Sequence, residues 1–154
     1  MIDSQALMPA ALYPKALRNL LANYLRDTCD PIMGGSTGII PAFALPLMGF
    51  ELAFQFPLFV ALAYALYMRK DWIRIPGLVY GVHVATTLLP ILGHLNLAPL
   101  DRTCKTNVAN LDQLFKLNLI YAPWFVLPTL FAAKCALKKD YFSGSRASPK
   151  RKTK

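Results

Sequence analysis

Three long apolar stretches constrain this chain more than any other feature, because about 20 consecutive apolar residues match the hydrocarbon thickness of a bilayer. The first runs from Pro41 to Tyr67 (PAFALPLMGFELAFQFPLFVALAYALY) and is closed by Arg69 and Lys70. The second, Trp72 to Leu92 (WIRIPGLVYGVHVATTLLPIL), starts with Trp72 and Arg74 at the level expected of a membrane interface. The third, Leu117 to Leu137 (LNLIYAPWFVLPTLFAAKCAL), holds Lys134 where it can snorkel toward Lys138 and Lys139. Composition agrees: 55% of the 154 residues are hydrophobic and 16% are charged, against about 45–50% and about 25% in a soluble domain. Backbone polar groups in lipid must be satisfied within the protein, so these spans are helices. The fold class is therefore all-α, a polytopic membrane helix bundle with three transmembrane helices plus a short amphipathic helix. Pro46, Pro57, Pro76, Pro90, Pro123 and Pro128 fall inside the spans, where neighbouring helices can satisfy the freed carbonyls and kinks can open a cavity.

Residues 1–11 lack the basic start and long apolar core of a signal peptide. From Leu12 to Arg26 the pattern puts Tyr13, Leu17, Leu20, Leu21 and Tyr24 on one helical face, with Lys15, Arg18, Asn19 and Arg26 away from it. This helix is too short and too charged to span, and belongs at the interface or under the bundle. Asp30-Pro31 and the GGSTG that follows read as a break and a flexible link. Cys29, Cys104 and Cys135 are odd in number and widely spaced, with only His83 and His94 as imidazoles, a pattern that supports neither a disulfide framework nor a metal site.

The net charge of +9 and pI of about 9.7 reflect lysines and arginines gathered at span ends and in the tail, not on one face, so nucleic acid is not an expected partner. Arg69, Lys70 and Arg74 share a side with the basic tail 141–154, and the positive-inside rule makes the C-terminus cytosolic. The tail ends KRKTK, which places Lys150 and Lys152 as a C-terminal signal for retrieval to the endoplasmic reticulum; attraction of the tail to anionic lipid is the alternative.

Glu51 lies well inside the first span, where an ionised carboxylate is expensive and marks a functional site by default. Gln55 shares its face four residues on. The pair suits a cationic amine or a hydroxyl in an apolar pocket, or else an interhelical hydrogen bond that holds the bundle together. His83 and Thr87 are also four apart, in the second span. His83 beside a buried carboxylate would serve general acid–base chemistry or simple mutual satisfaction. Tyr121 and Trp124 form an aromatic wall for a flat ligand or part of an interfacial belt.

Taken in order from about Asp3 to Leu137, LYPKALRNLL, Asp30-Pro31, ELAFQFP, WIRIPGLVYGVHVATTLLPIL and YAPWFVLP resemble the sigma-2 receptor (transmembrane protein 97) family of EXPERA membrane domains. The resemblance implies a multi-pass protein of the endoplasmic reticulum that binds cholesterol, oxysterols and lipophilic amines in an intramembrane cavity. It also implies a role in cholesterol homeostasis or trafficking, with the Niemann-Pick cholesterol transporter as partner; a homodimer is a further candidate partner that the resemblance does not itself supply. Carried over by position, the family's acidic ligand-binding pair falls on Asp3 and Glu51, with Gln55 beside it; Asp30 becomes a structural anchor, and Thr87, Leu88 and Tyr121 line the pocket. Trp124 stands where a tyrosine is usual. The family pattern has four spans, and residues 1–11 stand where the first ends, as its remnant or as an N-terminal tail. An EXPERA-like membrane domain covers 12–140. No cofactor or metal is expected, and binding without catalysis is the leading expectation. The competing readings are a sterol double-bond isomerase, in which Glu51 and His83 shuttle a proton, and an adaptor or chaperone without a small-molecule site.

Overall fold

The computed structural model describes residues 3–138 and 141–142; the tail lysines Lys150 and Lys152 lie outside them. Among the described residues there are four helices and no strand: α1 (Lys15–Thr28), α2 (Ala44–Tyr67), α3 (Arg74–Leu97) and α4 (Leu111–Leu137). Short 3-10 turns at Asp3–Ala6, Ala10–Leu12 and Asp71–Ile73 complete the regular structure. α2, at 24 residues, is about 36 Å long, enough to cross roughly 30 Å of hydrocarbon. α3 and α4 are long and apolar enough to do the same. The chain is a membrane protein.

The observed helices extend beyond the apolar runs in two places. α3 continues past Leu92 to Leu97 and carries Pro90 inside it. α4 begins at Leu111 rather than Leu117, because the Asn110 side chain accepts from the Gln113 amide at 2.9 Å and caps the helix. Lys116 and Asp112, four apart, pair at 2.7 Å in its first turns. Hydropathy could not mark this polar start.

α1 packs beneath the bundle. Leu21, Tyr24 and Leu25 lie on a cluster formed by Ile32, Met33, Ala44 and Met48, while Lys15, Arg18, Asn19 and Arg26 are exposed. The helix ends at Cys29, whose left-handed conformation lets its amide donate to the Leu25 carbonyl at 2.8 Å.

Two expectations about the segment that follows are corrected. The GGSTG stretch is a folded turn, not a flexible link. The Gly35 amide donates to the Asp30 carbonyl at 2.8 Å, and the Ser36 amide to the Cys104 carbonyl at 2.9 Å. Gly35 has φ +50, and a Cβ there would sit 2.5 Å from the Cys104 carbonyl oxygen, so the close approach requires glycine. The cysteines are also paired: Cys29 and Cys104 form a disulfide across 75 residues of sequence, with Cα atoms 5.4 Å apart, and Cys135 remains free and buried. The odd count concealed one bridge plus one thiol.

α3 and α4 pack intimately along their length. A Cβ on Gly81 would fall 2.7 Å from Cβ of Ala132, and one on Gly77 would fall 2.8 Å from the Phe131 ring, so small residues set the helix spacing. α2 lies less closely against this pair, and cavities open between it and α4.

Candidate ligand cavity between the spans

Glu51 and Gln55 bound a single π turn within α2, where the Phe56 amide donates to the Glu51 carbonyl five residues back. Its cause is local. Pro57 has no amide hydrogen, and its ring crowds the carbonyl of Ala53, so the helix widens by one residue just before the proline. Both polar side chains, half-buried, border a cavity of about 380 Å³. Ala44, Leu47 and Met48 continue the α2 wall; α3 supplies Val84, Thr87, Leu88 and Ile91, and α4 supplies Ile120, Tyr121 and Trp124. Tyr24 and Ile32 close the end over α1. The Thr87 hydroxyl donates back to the Val84 carbonyl at 3.0 Å, which turns part of its polarity onto its own helix.

Asp30 holds that closed end together. It is fully buried, and its Oδ2 accepts the Tyr24 hydroxyl at 2.6 Å and the Tyr121 hydroxyl at 2.9 Å, while Oδ1 accepts the Ile32 amide at 2.9 Å. One carboxyl group thus joins α1, the following loop and α4. Burial pushes the Asp30 carboxyl above its ordinary value, and the tyrosine and amide hydrogen bonds oppose that shift without reversing it. Next to it, the Cys29–Cys104 bridge ties the loop to residues 101–106. Asp101 organises these by accepting the amides of Thr103, Lys105 and Thr106 and the hydroxyls of Thr103 and Thr106, at 2.6–3.0 Å. Those bonds hold its carboxyl well below the usual range.

The structure brings Glu51, Gln55, Thr87, Leu88, Tyr121 and Trp124 to one cavity. His83 stands apart from it. Its ring packs against Phe50 and Phe54, with centroids 5.3 and 5.8 Å away, and its buried Nε2 has no hydrogen-bond partner among the described residues. Asp3 opens the turn Asp3–Ala6; its side chain lies outside what is described, although Ala6 of the same turn packs on the cluster at the cavity's end. Sequence reasoning missed Tyr24 and Ile32 as cavity residues. Tyr24 was visible only as a member of an amphipathic face, and nothing local shows that this face closes a site.

The class defined by this fold and site is a polytopic helical membrane protein enclosing a mostly apolar cavity with a carboxylate on its wall. Residues 16–135 match the family model EXPERA, the expanded EBP superfamily, and the chain belongs to that family. Within it, the chain is 33% identical to the sigma intracellular receptor 2 of Xenopus tropicalis, over all of this chain and 86% of that protein. It is also 33% identical to the proteins of that name from Homo sapiens and Macaca fascicularis, over 82% of this chain and 72% of each.

Proposed function

We propose that this chain is an endoplasmic-reticulum membrane protein that binds a sterol or a lipophilic amine around Glu51, without chemical turnover, in support of cholesterol homeostasis or trafficking. The observation that carries this reading is the π turn, which presents Glu51 and Gln55 to a cavity whose other walls are chiefly apolar. A volume near 380 Å³ falls within the roughly 300–1,000 Å³ of small-molecule sites. The carbon surface supplies affinity, while the carboxylate pairs with an ammonium or accepts a hydroxyl hydrogen bond. Binding without catalysis is favoured because His83, the imidazole a proton shuttle would use, packs on Phe50 and Phe54. The sigma intracellular receptor 2 relatives favour a receptor-like role, and the Niemann-Pick cholesterol transporter is the partner we propose for delivery.

The proposed orientation has a cytosolic C-terminus. Two independent features support it: the basic residues clustered at the tail end, and the Cys29–Cys104 bridge at the opposite end, which suits an oxidising lumen.

The test is crosslinking of a photoreactive cholesterol probe in membranes, for wild type and Glu51→Gln, with and without a competing lipophilic amine. Removing the carboxylate takes away a buried charge partner, so amine competition should weaken by roughly 100-fold. Sterol labelling should fall by less than about tenfold, because a neutral hydroxyl loses one ordinary hydrogen bond. Absent labelling, or amine competition unchanged in Glu51→Gln, overturns the reading. Recovery of a supplied sterol with its double bond moved would replace it with isomerase activity.

A further inference from the structure

A second cavity, also of about 380 Å³, adjoins the first and shares Trp124 with it. Phe59, Ala63 and Leu66 of α2 line one side, and Trp124, Leu127 and Phe131 of α4 line the other. No lining residue is charged, and only Tyr80 and Trp124 carry a polar side-chain atom. This cavity offers no charged group to a ligand within its walls, unlike the one bordered by Glu51.

Its polar partners lie at one end. On α4 the spacing Leu127, Phe131, Lys134 runs four and three residues, so the wall continues along one helix face to Lys134, with Lys138 just past the helix end. α2 ends at Tyr67 and turns directly into Arg69 and Lys70. The end of α4 is held to its neighbours, with Tyr141 and Phe142 packed on the cluster of Leu62 and Ala65 of α2 and Ile73. Arg74 Nε donates to the Cys135 carbonyl at 3.0 Å, and Lys134 Nζ stands 4.2 Å above the Tyr141 ring, which packs edge-on against Phe131 at 5.9 Å. Among the described residues this end holds Arg69, Lys70, Arg74, Lys134 and Lys138 against Asp71 alone, and Asp71 accepts the Phe142 amide at 2.8 Å.

The dimensions fit one leaflet. Trp124 to Phe131 covers about 10 Å of helix and Trp124 to Lys134 about 15 Å, the latter matching half of a roughly 30 Å hydrocarbon core. We infer that this groove is a site for an anionic phospholipid of the tail-side leaflet, one acyl chain lying between α2 and α4 and the phosphate meeting Arg69, Lys70, Lys134 and Lys138. A carbon wall alone would also accept a sterol. The basic end distinguishes them, since a sterol's neutral hydroxyl gains little from four cations, and a zwitterionic headgroup brings its own.

The chain has two tryptophans, so Trp72→Phe leaves Trp124 as sole reporter in the groove wall. The full chain in this background is reconstituted with phosphatidylcholine, and Trp124 quenching by acyl-brominated phosphatidylserine is compared with quenching by acyl-brominated phosphatidylcholine and by brominated cholesterol. Phosphatidylserine should be preferred over phosphatidylcholine by at least about fivefold in apparent association. The preference should vanish in Arg69→Gln/Lys134→Gln/Lys138→Gln, and also in Ala63→Phe or Leu66→Phe, which fill the groove without touching charge. It should persist in Glu51→Gln, which separates this site from the cavity around that residue. A phosphatidylserine preference that survives both groove-filling variants is surface attraction and overturns the site, as does no preference, or cholesterol quenching that is stronger than that by phosphatidylserine and is lost in the groove-filling variants, since a sterol in the cavity around Glu51 would be untouched by them. Native mass spectrometry of the unsubstituted chain provides the second readout: a retained phosphatidylserine lost on Ala63→Phe supports the site, and none retained refutes it.

Discussion

Replacing Asp30 by alanine removes the acceptor of three hydrogen bonds at the closed end of the cavity, from Tyr24, Tyr121 and the Ile32 amide. Hydrogen bonds to a charged group contribute about 1.5–3 kcal/mol each, but burial of this carboxyl offsets part of the sum, as its raised pKa records. The expected net loss is about 3–5 kcal/mol, the scale of breaking a buried charged network. Equilibrium unfolding in mild detergent with increasing SDS measures it. Tyr121→Phe alone should cost about 1–2 kcal/mol, and on top of Asp30→Ala should cost within about 0.5 kcal/mol of nothing, because its acceptor is already gone. A loss below about 1 kcal/mol for Asp30→Ala, or additivity of the two, would refute the network's role. pH supplies a further check. The folded-state pKa lies above the ordinary 3.8, so the folded state holds this proton more tightly. The group's contribution is therefore fully present below the ordinary value and declines as pH rises through the folded one. Asp30→Asn should abolish that decline.

Three other outcomes follow from the same geometry. Cys29→Ser, Cys104→Ser and the double variant should lose equal stability, about 4 kcal/mol at the chain-entropy limit for a 75-residue separation, and dithiothreitol should bring wild type to their level in the same assay. Gly81→Val should drive α3 from α4, since even a Cβ would meet the Pro128 carbonyl and Ala132; the expected loss is about 1–3 kcal/mol, and stability equal to wild type would contradict the close packing. Asp101, with its depressed pKa, stabilises its loop above the ordinary carboxylate range and loses that contribution as pH falls. Asp101→Asn should speed hydrogen exchange at Thr103, Lys105 and Thr106 at neutral pH, with the difference narrowing in acid.

Legibility in the sequence follows the range of the interaction. Each span is specified by its own apolar length, and α1 by its own periodicity. The start of α4 depends instead on a cap from Asn110 to Gln113, which a hydropathy reading passes over. Glu51 and Gln55 were conspicuous because a carboxylate and an amide four apart in apolar sequence have few structural uses. The π turn between them was not read from the sequence, although its cause, Pro57, stands there. His83 shows the limit of such reasoning. Its depth in the second span was legible, but rotation of α3 turns its ring toward Phe50 and Phe54.

The sequence by itself determined that this chain is a bundle of apolar helices with an acidic group inside one span, because hydrophobic length and the cost of charge in lipid are properties of a segment alone. Tertiary structure decided what meets across long separations: the bridge between Cys29 and Cys104, the two tyrosines shared by Asp30, and the groove between α2 and α4. Each depends on how separate segments are placed, as Gly77 and Gly81 place α3 against α4 by letting their backbones approach, and no single segment specifies its own neighbours.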